Sequence, residues 1–422
     1  MTITQTSSVA LRGDPGTRTV AGRVRHGTLA YRRIAAALFL AGFATFSLLY
    51  CTQPLMPLFA QHFHLSPAAS SLSLSVSTGA LAVSILLAAA VSEGLGRRGL
   101  IFTSMAGAAI LNIAAAWAPQ WPLLLAARAA EGLVLGGVPA VAMAYLAEEI
   151  DPASLGFAMG LYIAGTAFGG MAGRVLTGLL AAELTWRPAL GIMGGLGLAA
   201  ALGFRALLPA SRFFTPKRGL GTRHHLAAWG RHLSDGGMPF LFAIGFLIMG
   251  AFVTVYNYAG FRLSEPPYRF SQSFIGLIFT TYVFGIGASS LAGAAVDRLG
   301  RRRVLSAGLG LALLGTVLTM ARPFPILLTG IVLLTIGFFA AHSVASGWVG
   351  GLARGSKGHA SSLYLLAYYL GSSVAGTAGG WFWSRSGWNG VAGFAAGCLV
   401  LAILCGLVVG ARNPSRTQEP AR

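Results

Sequence analysis

The chain has 422 residues, 55% of them hydrophobic and only 10% charged, with a mean hydropathy of +0.70. An ordinary soluble domain carries about 25% charged residues, so a chain this apolar has no surface to show water, and a soluble enzyme is excluded. The formal net charge of +19 invites a nucleic-acid reading, which the placement of the bases along the chain excludes.

Residues 1–33 hold no short apolar core ending in a cleavage site, so they are not a secretory signal. Their arginine and serine/threonine content shares features with an organellar transit peptide, but the expectation is a disordered cytoplasmic tail. At about 20 apolar residues for each crossing of a ~30 Å hydrocarbon core, six spans follow at 34–60, 69–92, 99–118, 122–147, 155–181 and 187–208. They make an N-terminal six-helix half over 34–208. Residues 209–237 are polar and basic and read as a cytoplasmic linker; His224, His225 and His232 within it are a weak metal-binding pattern on a basic segment. Six more spans come at 238–262, 272–296, 303–321, 324–352, 359–384 and 388–411, a C-terminal half over 238–411. A short polar tail, 412–422, closes the chain. The predicted fold is an all-α membrane protein of twelve transmembrane helices in two similar six-helix halves.

Of the 30 lysines and arginines, 23 fall on the side that carries both tails and the linker. Five fall on the other side: Arg187, Arg262, Arg269, Arg322 and Arg385. This positive-inside bias places both termini in the cytoplasm. The loop after the fourth span, with Glu148, Glu149 and Asp151, runs against it. The basic charge therefore sets topology, and no nucleic-acid partner is expected. Cys51, Cys398 and Cys405 all sit in apolar segments, which points to no disulfide framework and no metal. No Gly-rich phosphate loop ending in Lys-Ser/Thr is present, and the only lysines are Lys217 and Lys357, so no ATP-driven domain and no cofactor is expected.

A hairpin between the eighth and ninth spans, Gly293-Ala-Ala-Val-Asp297-Arg298-Leu-Gly300-Arg301-Arg302-Arg303, has a degraded copy 204 residues earlier. The copy reads Ala89-Ala-Val-Ser-Glu93-Gly94-Leu-Gly96-Arg97-Arg98. Repetition at half the chain length marks a duplicated membrane unit. The duplication extends to Leu161-Tyr162 with Leu363-Tyr364, Gly169 with Gly371, and Tyr50 with Tyr256. Glu93, Arg97, Arg98, Asp297, Arg298 and Arg301 make a candidate cytoplasmic gate: carboxylates at helix ends pair with arginines and favour neighbouring helix N-termini. The bland reading is a solvated turn whose bases only set topology.

A charge near the bilayer centre is expensive and normally faces the bundle interior. Arg128 and Glu131 stand three apart on the fourth span, close enough to pair. Glu131 is the only acidic residue well inside a span, which makes this pair the candidate proton-coupling site. A permanent ion pair that ties helices together is the alternative. Arg174 lies about two-thirds along the fifth span, either bordering the cavity or snorkelling outward. His342 on the tenth span can titrate near neutral pH or serve as a hydrogen-bonded packing residue. Tyr50, Gln53, Tyr162, Tyr256, Asn257, Tyr364 and Tyr368 complete the candidate cavity lining, since tyrosine offers an apolar face with a hydroxyl handle. Gln53, flanked by Pro54 and Pro57, marks a kink.

Over 34–411 the chain resembles twelve-helix members of the major facilitator superfamily. The second hairpin matches the family's loop motif, Gly-x-Leu-Ala-Asp-Arg-x-Gly-Arg-Arg, at Gly293, Asp297, Arg298, Gly300, Arg301 and Arg302. The first matches at Gly96, Arg97 and Arg98, with Glu93 for aspartate and Gly94 for arginine. Arg128-x-x-Glu131-Gly132 resembles the fourth-helix arginine motif. Gly165-x-x-x-Gly169-Gly170-x-x-Gly173 resembles the fifth-helix motif of drug–proton antiporters, although Gly170 replaces its proline and Arg174 its final glycine. Tyr50-Cys-Thr-Gln-Pro-Leu-Met-Pro57, with Glu148-Glu149 and Trp186-Arg187, is similar to bacterial inner-membrane efflux members related to arabinose and acridine-dye exporters.

The resemblance implies a monomeric, multi-pass secondary active transporter of the bacterial inner membrane, with a substrate site near the bilayer midplane between the halves. The expected activity is proton-coupled export of small amphipathic organic compounds, drug-like or sugar-like. Uptake or exchange of an organic anion, or uniport, is the alternative: Arg128 and Arg174 against Glu131 leave the interior net positive. Convergent catalytic groups are absent near the midplane, so no enzyme is expected.

Overall fold

In the computed structural model, which describes residues 23–91, 96–213, 222–353 and 356–412, the chain is helical almost throughout. The first half holds α1 (Leu29–His62), α2 (Pro67–Val91), α3 (Arg97–Ala116), α4 (Trp121–Glu149), α5 (Pro152–Glu183) and α6 (Trp186–Leu207). The second holds α7 (Met238–Ser264), α8 (Gln272–Leu299), α9 (Arg301–Leu318), α10 (Phe324–Leu352), α11 (357–385) and α12 (388–412). Among the described residues, ten continuous stretches are long and apolar enough to cross a membrane. One of them, Lys357–Arg412, breaks at Ser386 and Gly387 and so supplies both α11 and α12. With α9, whose first turn is Arg301-Arg302-Arg303, the helices number twelve.

Local chemistry sets the ends. Thr28 caps α1 by accepting the Tyr31 amide at 3.2 Å, and Asp151 caps α5 by accepting the Ala153 amide at 3.0 Å, each satisfying an N–H that the helix leaves without a partner. Between α8 and α9 the chain reverses on Gly300 at φ +80, a region open to glycine. Pro54 and Pro57 lack the N–H that a continuous helix needs, and α1 passes there through a 3₁₀ turn at Gln53–Leu55.

The duplication is visible in the packing. In the first half α1 lies against α5, and in the second α7 lies against α11. A Cβ on Gly169 would stand 2.2 Å from the Phe43 carbonyl, and one on Gly371 would stand 2.1 Å from the Phe246 carbonyl. A Cβ on Gly42 would stand 2.9 Å from the Tyr162 carbonyl, and one on Gly245 would stand 2.8 Å from the Tyr364 ring. Only glycine lets these backbones approach so closely, and close approach is what drives helix association in lipid.

The linker differs from the plain polar segment expected at 209–237. Thr222–Leu233 forms a helix that lies against the start of α11. His225 Nδ1 stands 2.9 Å from His359 Nε2, and the Trp229 indole N–H reaches the Ser362 hydroxyl at 3.4 Å. Leu226, Trp229 and Leu233 recur at helical spacing there, a signal too short to stand out against the surrounding charge.

Both ends of the described chain and the linker lie at one end of the bundle, here the terminal end; the other is the distal end. The halves touch along α2 with α11 and α5 with α8, and at the distal ends of α1 and α7. The side-chain bridges lie distally: Gln53 Nε2 to Asn257 Oδ1 at 2.7 Å, Gln272 Nε2 to the Pro54 carbonyl at 2.6 Å, Thr377 Oγ1 to Ser75 Oγ at 2.7 Å, and Tyr258 Oη to Ser71 Oγ at 3.4 Å. Gly178 and Gly276 meet there backbone to backbone. Among the described residues no hydrogen bond or ion pair joins the halves at the terminal end; those that join them lie distally.

Candidate functional site

Two buried arginines organise the interior, and they do different things. Arg128, fully buried on α4, reaches four helices of the first half. It donates to the Leu48 and Leu49 carbonyls of α1 at 3.1 and 2.6 Å, and to the Ser73 carbonyl of α2 at 3.1 Å. It also donates to Asn112 Oδ1 of α3 at 3.3 Å and to Glu131 Oε2 on its own helix at 2.5 Å. The carbonyls it takes from α1 lie just before the 3₁₀ turn. Glu131 is also fully buried, and its Oε1 has no hydrogen-bond partner among the described residues. The pair sits inside the first half, away from the seam.

Arg174 lies in the seam, 2% exposed, and does not reach the outside of the bundle. Its Nη1 donates to the Gly170 carbonyl at 2.5 Å, and its Nε donates to Gln53 Oε1. The guanidinium carbon stands 4.0 Å from the Tyr50 ring centre, 4.8 Å from Tyr282 and 5.4 Å from Phe279. A cation over aromatic faces is stabilised by the ring quadrupoles, most strongly where water is excluded. Through Gln53 the arginine is one hydrogen bond from Asn257, whose Nδ2 is buried without a partner among the described residues. Chain direction gives the depth order. Arg174 is one turn nearer the bilayer centre than the Gly178–Gly276 contact, and Tyr50 and Tyr282 are likewise deeper than Gln53 and Gly276.

From Tyr282 a run of rings leads toward the terminal end. Tyr282 stands 5.5 Å from Phe252, which stacks on Phe338 at 3.8 Å; Phe338 lies 6.0 Å from the His342 ring, and His342 lies 4.5 Å from Tyr368. The His342 Nδ1 is 3.0 Å from the Tyr364 hydroxyl. His342 and Tyr368 are half-buried, whereas Tyr364 is 2% exposed. One tyrosine named as cavity lining turns into its own half instead. The Tyr256 hydroxyl bonds to Thr281 and Thr335, both at 2.7 Å. The Tyr162 hydroxyl is buried without a partner among the described residues. Periodicity could not show this, because the rotation of a helix with apolar residues all round is set by its neighbours.

The candidate gate residues stay within their own halves. Arg97 pairs with Glu148 at 2.8 Å, and Arg98 Nη2 donates to the Arg205 carbonyl at 2.5 Å. Asp297 and Arg298 are exposed, with no ion pair among the described residues, and the Arg301 guanidinium lies over Gly351 of α10. Glu93 lies outside the described residues.

Residue-type reasoning missed Asn112, the carbonyl acceptors of α1, and the hydroxyl run of α2. Ser71 meets Tyr258 of α7 and Ser75 meets Thr377 of α11, whereas Ser77 bonds to the Arg128 carbonyl at 2.9 Å. The sequence Ser70-Ser-Leu-Ser-Leu-Ser-Val-Ser-Thr78 was the available signal, since hydroxyls are unusual in such density within a span.

Comparison with known proteins adds to this geometry. The model of the Major Facilitator Superfamily matches twice, over residues 38–268 and 266–422. The chain is 45% identical over 383 residues to the inner membrane transport protein YnfM of Escherichia coli strain K12, covering 91% of this chain and 92% of that protein. It is 45% identical over 380 residues to the uncharacterized MFS-type transporter YybF of Bacillus subtilis strain 168, covering 90% and 94%. Its fold is similar to that of the nucleoside transporter NupG, with a TM-score of 0.75 at 15% identity over 89% of this chain and 99% of the other.

Proposed function

The chain belongs to the Major Facilitator Superfamily, and we propose that this multi-pass membrane transporter exports small amphipathic organic compounds by alternating access, in exchange for protons. The seam carries this reading: among the described residues it is bridged only at the distal end, and beneath those bridges it holds a cation with rings from both halves around it. The excess of bases on the terminal side supports a cytoplasmic placement of that end. A bacterial inner membrane and an inward-open state of the cycle then follow. The rings suit an apolar body, and the hydroxyl and amide groups suit one or two polar substituents.

Glu131 is the proton carrier in this reading. Its Oε1 has no partner among the described residues and can take a proton, and protonation would weaken the ion pair with Arg128, whose Nη1 also donates to the Leu48 carbonyl of α1. Helix α1 also carries Gln53, so the coupling has a route to the seam. In this reading the hairpin carboxylates and arginines latch the halves at the cytoplasmic end when the gate there closes. The test is flux of a cationic dye, a neutral sugar and an organic acid in proteoliposomes under an imposed pH gradient, comparing the natural protein with Glu131→Gln. Gradient-driven flux lost in the variant, with gradient-free exchange retained, is the expected result. Flux that ignores the gradient in the natural protein would rule out proton antiport. Complete burial of both Glu131 and Arg128 favours a second reading, uniport or exchange without protons, and the same experiment decides between them.

A further inference from the structure

We propose that Arg174 is the head-group site for an organic anion, and that the substrate is an amphipathic carboxylate or sulfonate with an apolar body lying along the ring wall. The inference rests on the carrier reading above and adds the charge of the cargo. Arg174 is a buried cation without a counter-ion: among the described residues the ion pairs are Arg25–Asp151, Arg97–Glu148 and Arg128–Glu131. Eleven acidic residues serve the whole chain, and Glu131, the one deep inside a span, is already held by Arg128.

What touches Arg174 is neutral. It has a carbonyl, an amide oxygen and three rings around it. These tolerate a guanidinium but do not neutralise it, whereas a carboxylate or sulfonate would do so with charge-assisted hydrogen bonds. A second observation points the same way. Asn257, 1% exposed, leaves its Nδ2 donor without a partner one hydrogen bond away across Gln53. An anion that draws the Gln53 amide toward itself would leave Asn257 free to reorient. A cation without a counter-ion beside one unpaired donor describes a site for an anionic acceptor.

The position fits a ligand entering from the terminal end, where no bridge joins the halves among the described residues. Arg174, Tyr50 and Tyr282 lie just beneath the closed seam, and the rings from Phe252 to Tyr368 extend from there toward the opening. A molecule with its charge at Arg174 would place its body against Phe252 and Phe338 and its far end beside His342. Anion binding at this depth would also compete with Gln53 for the guanidinium. Occupancy would thereby loosen the Gln53–Asn257 bridge that holds the distal seam.

The test uses three naphthalene compounds of similar size and permanent charge state: naphthalene-2-sulfonate, (2-naphthylmethyl)trimethylammonium and 2-naphthyl β-glucoside. Counterflow of each is measured in proteoliposomes of the full chain at equal pH on both sides. The expected result is saturable exchange of the sulfonate, weak or absent exchange of the cation, and a half-saturation concentration for the sulfonate at least roughly tenfold higher in Arg174→Gln, as loss of a charge-assisted hydrogen bond implies. Arg174→Lys should fall between the two. Exchange of the cation or the glucoside with exclusion of the sulfonate overturns the anion site and leaves the carrier reading standing. That outcome needs only the natural protein, so misfolding of a variant cannot hide it. Unchanged half-saturation in Arg174→Gln, with all fluxes slowed alike, also overturns it, because the arginine would then only lock the seam. Saturable exchange of none of the three overturns both the inference and the carrier reading for solutes of this size.

Discussion

Gln53 and Asn257, 204 residues apart, join their amides at 2.7 Å across the two halves. The bond joins α1 to α7, the first helix of each half, so it reports directly on whether the distal seam is shut.

Replacing Asn257 or Gln53 by alanine should destabilise the distally closed state. Leaving a buried polar partner unsatisfied costs about 1–3 kcal/mol, enough to shift a two-state balance roughly five- to hundredfold. Spin labels at positions 183 and 265, at the distal ends of α5 and α7, should show a longer-distance population in either variant. An unchanged distance distribution would mean that the seam is held by the glycine contacts and the α2–α11 hydroxyls alone.

Arg128→Ala should be far more damaging than Glu131→Gln. The first leaves a buried carboxylate uncompensated, a loss of about 3–5 kcal/mol when one member of a buried pair is removed. The second leaves Arg128 with the Ser73, Leu48 and Leu49 carbonyls and Asn112. Thermal unfolding in detergent reads both. Equal losses would mean that the ion pair itself, and not the arginine's reach across four helices, holds the half together.

The duplicated glycines should behave alike. Gly169→Ala and Gly371→Ala each push a methyl against a carbonyl of the neighbouring helix, an overpacking that costs typically about 1–3 kcal/mol. Gly156→Ala and Gly160→Ala, with open space around the added carbon, should leave stability unchanged or raise it by about 0.5–1 kcal/mol, as glycine in a helix interior is costly. Melting temperatures of the four variants make the comparison. A tolerated Gly169→Ala with a damaging Gly371→Ala would show that the halves do not share this packing.

Asp297→Asn separates a latch from a solvated turn. The carboxylate is exposed and without an ion pair among the described residues, so the melting temperature of the present state should not change. If it pairs only when the terminal end closes, the variant should lower turnover and enrich the state parted at that end. Unchanged turnover would leave the hairpin a topological signal and nothing more.

Much of this molecule was legible without coordinates. Twelve spans, two halves and the bias of bases follow from residue hydrophobicity and charge, which are local properties that act one segment at a time. Arg128 and Glu131 meet because three residues along a helix place side chains on one face. The kink at Gln53 follows from two prolines without N–H groups. The helix at Thr222–Leu233 escaped notice because twelve residues give too few repeats of an apolar face to outweigh the charge around them.

The sequence by itself determined where the chain crosses the membrane and that it does so as a repeat. Tertiary structure alone decided which residues separated by more than a hundred positions confront one another. Arg174 could have faced lipid, a cavity or a carboxylate. Packing put it under Gln53 between Tyr50 and Tyr282, while Tyr256, the repeat partner of Tyr50, turned into its own half toward Thr281 and Thr335. In lipid no hydrophobic force tells one apolar face from another. Helix rotation is therefore settled by glycine contacts and polar bridges that form only once distant spans have come together.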